Sequence, residues 1–112
     1  MLQIVRGNTK TISISVKNAD GTPYEMSSTD KAIFAIKKYD DIGLPAVVKK
    51  VATAADVQDG KIKIKLRPED TINLDAGLYH YDFAIKTGSD FFTAKAYDDV
   101  EIVAAIATKE DA

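Results

Sequence analysis

The stretch GKIKIKLRPEDTINLDAGLYHYDFAI, Gly60 to Ile85, decides the fold, because it holds two runs of alternating polarity and the turn that joins them. Lys61, Lys63, Lys65 and Arg67 alternate with Ile62, Ile64 and Leu66, and a period of two sends the apolar side chains to one face and the cations to the other. This predicts a half-buried strand. Pro68-Glu69-Asp70-Thr71 then reads as one helical turn, with proline at the first position and acids where the helix dipole favours them. Leu74-Asp75-Ala76-Gly77-Leu78 leads into Tyr79, Tyr81, Phe83 and Ile85, with His80, Asp82 and Lys86 on the opposite face, which predicts a second strand.

Working outward, Leu2 and Ile4 mark a short first strand that ends at Arg6-Gly7-Asn8, where Gly and Asn tolerate positive φ. Ile12, Ile14 and Val16 alternate with Thr11, Ser13, Ser15 and Lys17, a strand with one wet face, and Asn18-Ala19-Asp20-Gly21 follows as a tight turn. Thr22 to Met26 is a brief extended piece whose Pro23 argues for an edge. Ser27-Ser28-Thr29-Asp30 has the composition of a helix cap, but Lys31 to Lys37 reads better as a strand with Ala32, Phe34 and Ile36 inward. Tyr39 to Pro45 is a loop, Ala46 to Val51 a strand with no evident facing, and Ala52 to Gly60 a connection.

Lys86 to Asp90 closes a hairpin whose return strand begins near Phe91, is interrupted by Tyr97-Asp98-Asp99, and finishes at Val100, Ile102 and Ala104. Seven or eight short strands with turn signals between them, and no long amphipathic helix, predict an all-β antiparallel sandwich. A parallel sheet would need crossover helices that the pattern lacks. The expected domain is 1–104, with 105–112 a C-terminal tail.

A chain of 112 residues fits one domain and can bury a two-layer core. Fifteen basic and seventeen acidic side chains give a net charge of −2, which argues against nucleic acid or an anionic membrane as partner. The absence of cysteine removes disulfides, thiolate metal sites and cysteine nucleophiles together, so stability rests on packing. No apolar run approaches a membrane span, and MLQIVRGNTK lacks a signal-peptide core, so the expectation is a soluble product made in the cytoplasm.

Residue chemistry offers little catalysis. His80 is the only histidine, so a histidine metal cluster cannot form within one chain, and a solvated or interface position is expected for it. Asp40-Asp41, Glu69-Asp70 and Asp98-Asp99 are paired acids, but adjacent strand residues point to opposite faces and do not converge on one ion. The row Lys61, Lys63, Lys65 and Arg67 lacks interleaved aromatics for stacking bases and reads as a solvated outer face. The expectation is a non-enzyme with no catalytic residues, no cofactor and no metal.

Two structural features stand out. Leu74…Gly77-Leu78-Tyr79 looks like a tyrosine corner, in which a hydroxyl bonds back to the backbone and fixes an arched connection. Phe91-Phe92 cannot both enter one core from a strand, which leaves one for a neighbouring chain or a covering loop. With Tyr24, Tyr39 and Tyr97 they make up the expected interface residues.

The blocks RGNTKTISISVKNADGTPYEM, KAIFAIKK and GKIKIKLRPEDTINLDAGLYHYDFAIKT together resemble the immunoglobulin-like N-terminal domain of phage baseplate upper proteins and related prophage tail proteins. The resemblance lies in Arg6-Gly7-Asn8-Thr9, the hairpin Lys17 to Gly21, Lys61 to Thr71, and Leu74 to Asp82. Met26-Ser27-Ser28 stands where that family usually has Leu-Thr-Gly, and the family often continues into a long fibre or receptor-binding region, so the expectation is a stand-alone small virion protein or a trimmed domain. The resemblance implies an immunoglobulin-like Greek-key β-sandwich. It further implies a virion structural protein, a tail or baseplate component assembled in the bacterial host cytoplasm. The implied partners are other tail or baseplate proteins or copies of itself as a homo-oligomer. The alternative is a carbohydrate- or cell-surface-binding sandwich, with Tyr24, Tyr39, Tyr97 and Phe92 as platforms.

Overall fold

The alternating runs become strands in a computed structural model that describes residues 2–39, 43 and 45–107, apart from the side chains of 95–97. Eight strands occur among the described residues: β1 (Leu2–Val5), β2 (Lys10–Ile14), β3 (Lys31–Lys38), β4 (Val48–Ala52), β5 (Val57–Gln58), β6 (Lys61–Leu66), β7 (Gly77–Thr87) and β8 (Asp90–Val103). A 3₁₀ turn, Ala54–Asp56, precedes β5, and the helical turn α1 (Pro68–Thr71) follows β6. One sheet has the order β1-β8-β7-β3-β4 and the other β2-β6-β5.

The inward residues of both sheets form one core. Ile62, Ile64 and Leu66 of β6 lie under 4% exposed against Ile4, Phe34, Ile36, Phe83, Ile85, Val100 and Ile102 of the larger sheet. Burying each such side chain contributes roughly 1.5–3 kcal/mol, so a chain without cysteine draws its stability here. β4, whose facing the sequence left open, turns Val48 and Ala52 inward and leaves Val51 half exposed at 50%. Ala84 departs from the alternation: it is buried on the outer face of β7, between its register partners Ile33 on β3 and Thr93 on β8.

Two expectations are corrected. The larger sheet is mixed rather than antiparallel, because β1 lies parallel to β8 with Leu2 opposite Val100 and Val5 opposite Val103. A crossover helix is needed only when parallel neighbours are joined directly. Here the remaining strands themselves make the connection. The pairing continues past β1, where the Arg6 amide donates to the Val103 carbonyl at 2.8 Å.

The second correction concerns Tyr97-Asp98-Asp99, which does not interrupt β8. Between the pairs Tyr81–Asp98 and Phe83–Lys95, two steps along β7 face three along β8, and one step faces two between Phe83–Lys95 and Ala84–Thr93. The extra residues are taken up as bulges, which bend a strand without ending it. β8 stops at Val103, so Ala104 lies outside it. Beyond it 105–107 form no strand, and Ile106 is fully exposed. The rest of the expected tail, 108–112, and the Asp40-Asp41 pair lie outside the described residues.

Candidate functional site

The connection from β6 to β7 is held by side chains from distant parts of the sequence. The Tyr79 hydroxyl donates to the carbonyl of Asp75, four residues upstream, at 2.7 Å. The ring is 7% exposed, and burial first, with the nearby Asp75 charge second, pushes its hydroxyl pKa up. Gly77 has φ of 140°, in the region that favours glycine, where the chain swings from the arch into β7. Leu74 packs partly buried against the core, and its carbonyl accepts from the Arg6 guanidinium at 3.2 Å. Thr71, fully buried at the end of α1, accepts from the Gly7 amide at 2.8 Å. The β1–β2 turn and the arch are thereby locked together.

A second cluster sits at the turn end of the β7–β8 hairpin. Phe92 pairs in register with Ile85, on the core-facing side of the sheet, and the Tyr24 ring meets it edge-on at 5.8 Å. Tyr24 is in turn tethered by its hydroxyl to Asp30 at 2.7 Å. Asp30 is 3% exposed and also accepts from the Ser27 amide at 3.1 Å and the Ser27 hydroxyl at 2.9 Å. Its carboxyl is held down at about 2, first by the Tyr24 hydrogen bond, then by Thr87 and the Ser27 amide. The same bond raises the Tyr24 hydroxyl. The loop carrying Tyr24 is thus clamped over the hairpin.

Phe91 lies on the opposite side, 62% exposed, while Phe92 remains 38% exposed despite Tyr24. Tyr39, 45% exposed, stacks on the His80 imidazole with centroids 4.4 Å apart. His80 is therefore largely covered rather than solvated, its side chain 15% exposed, and Nδ1 lies 3.2 Å from the Asp99 carboxylate across the β7–β8 ladder. The expected interface residues do not form one patch: Tyr24, Phe91 and Phe92 gather at the hairpin end, Tyr39 sits over His80, and the Tyr97 side chain lies outside the described ones.

The paired acids serve separate ends. Asp70 accepts from the Arg67 amide at 2.6 Å, capping α1, and from the Lys50 ammonium at 2.9 Å. Burial would raise its carboxyl, yet these two donors hold it below the usual value. Asp98 accepts from the Asp99 amide at 2.7 Å. Among the described residues no three His, Cys, Asp or Glu side chains gather as a metal group, and no helix is long and apolar enough to cross a membrane. Of the cationic row, Lys63 donates to the Ser13 hydroxyl at 2.8 Å on the neighbouring β2.

Sequence reasoning missed Asp30 and Thr71, the two buried polar side chains among the described residues. A signal existed for the first. Ser27-Ser28-Thr29-Asp30 has capping-box spacing, and half of the box forms, the Ser27 amide donating to the Asp30 carboxylate at 3.1 Å, while the Asp30 amide donates to the Ser27 carbonyl at 3.1 Å as in a tight turn, with a strand following instead of a helix. Compared with known proteins, the chain matches no family model, no curated protein and no solved structure.

Proposed function

We propose that this chain is a non-enzymatic structural module of a phage or prophage tail or baseplate, an immunoglobulin-like sandwich that acts by joining other protein surfaces. The sheet order favours that fold. With β2, β6 and β5 as strands B, E and D, and β3, β7 and β8 as C, F and G, β4 takes the place of the extra variable-type strand beside C. β1 has left the B strand to lie along G. Tyr79 stands at the start of F with its hydroxyl on the preceding arch, where the tyrosine corner of such domains sits. Tyr81, two residues on, meets Phe34 of strand C at 5.7 Å, an aromatic pair where antibody domains place cysteine and tryptophan. The motifs that carry the resemblance to tail proteins fall on joints of this frame, the β1–β2 turn, the turn after β2 and the arch into β7, and on β6 with α1.

The observation that carries the assembly reading is the edge of β8. β1 pairs only with Val100 to Val103, so among the described residues β8 from Asp90 to Asp99 has a strand on one side alone. That open edge carries Phe91 and Phe92, both exposed. A strand edge with no strand beside it and exposed aromatics form a template for a neighbouring chain, here a second copy. The sugar-binding alternative is weaker because Tyr24 turns its hydroxyl to Asp30 and its ring to Phe92.

Sedimentation velocity across a concentration series tests this. Oligomers that dissociate on dilution, and are lost in Phe91→Lys, are expected. A monomer at every concentration overturns the reading.

A further inference from the structure

β6 has β2 beside it from Ile62 to Leu66 on one side, but on the other β5 covers only Lys61 and Ile62. From Lys63 onward, among the described residues, that edge of β6 has no strand beside it. β4, the free edge of the larger sheet, passes close by without joining it in a ladder. Between them lies a groove of about 530 Å³ whose walls include Lys50, Val51, Lys63, Lys65 and Arg67. Asp56 is the one acid among the described lining residues, and its carboxylate is already occupied by the Thr53 amide at 2.9 Å. The chain as a whole is net acidic, so this concentration of cations is a local feature.

Beside the groove one carboxylate is already bound: Asp70, outside the lining, sits on the Lys50 ammonium and the Arg67 amide. No aromatic side chain is among its lining residues, which removes the stacking platform that single-stranded nucleic acid uses. Val51, half exposed, supplies apolar ground between the charges, and the edge of β6 from Lys63 onward supplies backbone donors and acceptors.

We infer that this groove binds an extended, acidic segment of a partner protein, whose carboxylates meet Lys63, Lys65 and Arg67 while its backbone adds to the open edge of β6. This is strand addition, in which main-chain bonds supply affinity and alternate side chains supply specificity. The inference rests on the protein-joining reading above but uses a different surface from the β8 edge.

The probe is a synthetic octapeptide of alternating glutamate and valine, titrated into the full chain while backbone amide resonances are followed. Shifts confined to residues 50–52 and 63–67, and binding that weakens with salt, are expected. Lys65→Glu with Arg67→Glu, both exposed positions, should weaken binding by about tenfold or more, since charge-assisted contacts are replaced by repulsion. Self-association through β8 should survive this double change, whereas Phe91→Lys should abolish self-association and leave peptide binding intact. Thus either reading can fail alone. Absence of peptide binding, binding indifferent to the double substitution, or tighter binding of a single-stranded oligonucleotide would overturn the inference.

Discussion

Replacing Tyr79 by Phe removes one oxygen atom and tests whether the arch into β7 is fastened by it. The hydroxyl donates at 2.7 Å to the Asp75 carbonyl, and the residue is 7% exposed, so the ring keeps its packing while the bond is lost. A neutral hydrogen bond contributes about 0.5–1.5 kcal/mol net, and a carbonyl left without a partner away from water costs about 1–3 kcal/mol. Asp75 itself is exposed, so water can reach its carbonyl and the lower range applies. Destabilisation of about 1 kcal/mol is expected, which at a urea slope of ~1–3 kcal/mol/M moves the unfolding midpoint down by about 0.3–1 M with the slope unchanged. Urea unfolding followed by circular dichroism reads both quantities. An unchanged midpoint would refute the idea that this bond fastens the arch, and a changed slope would show that the substitution altered more than one bond.

Thr71→Val strands the Gly7 amide against a buried methyl, and a loss of about 1–3 kcal/mol is expected in the same assay, whereas Thr71→Ser keeps the acceptor and should cost only about 1 kcal/mol for the one buried methyl removed. Phe34→Ala empties the centre of the core at a fully buried position and should cost about 3–5 kcal/mol, a large part of a typical domain's stability, read as the fall in thermal midpoint. Asp30 has its folded carboxyl depressed to about 2, below the unfolded value, so its contribution is fully present above about pH 4 and is lost as pH falls toward 2. Tyr24→Phe removes the largest cause of that depression and should flatten the pH dependence of stability in this window; an identical slope would contradict the clamp. Asp70→Ala should cost more than Lys50→Ala, because the first loses the bond to the Arg67 amide and the second only a surface ion pair of about 0–1 kcal/mol.

Much of the frame was legible because its strands have one wet face. Ile62, Ile64 and Leu66, then Ala32, Phe34 and Ile36, show the period of two directly, and the buried residues of β6 and β3 are those residues. Gly7 and Gly21, at φ of 79° and 88°, mark turns that their neighbours announce. What stayed hidden was long-range. Nothing in Leu2-Gln3-Ile4-Val5 says that β1 will lie parallel to β8, since that choice depends on which edge remains open once the hairpins have formed. The bulges of β8 were equally hidden: a polar Asp98-Asp99 pair looks like a strand end when its partner strand is unknown. At the hairpin end, Phe91-Phe92 announced an aromatic with no place in the core, but not that Tyr24 would cover one of them, because that contact depends on how the loop before Asp30 is tied down. The groove beside β6 was invisible for a similar reason, since Lys50 reaches it from the other sheet.

The claim on which the function turns is that the free edge of β8 is closed by another chain. Hydrogen exchange of the amides from Phe91 to Ala94, measured in dilute and in concentrated solution, addresses it directly. Exchange that slows with concentration at these amides, while the core strand β3 stays equally protected in both, is the predicted result. Equal exchange of the β8 amides at all concentrations would contradict it.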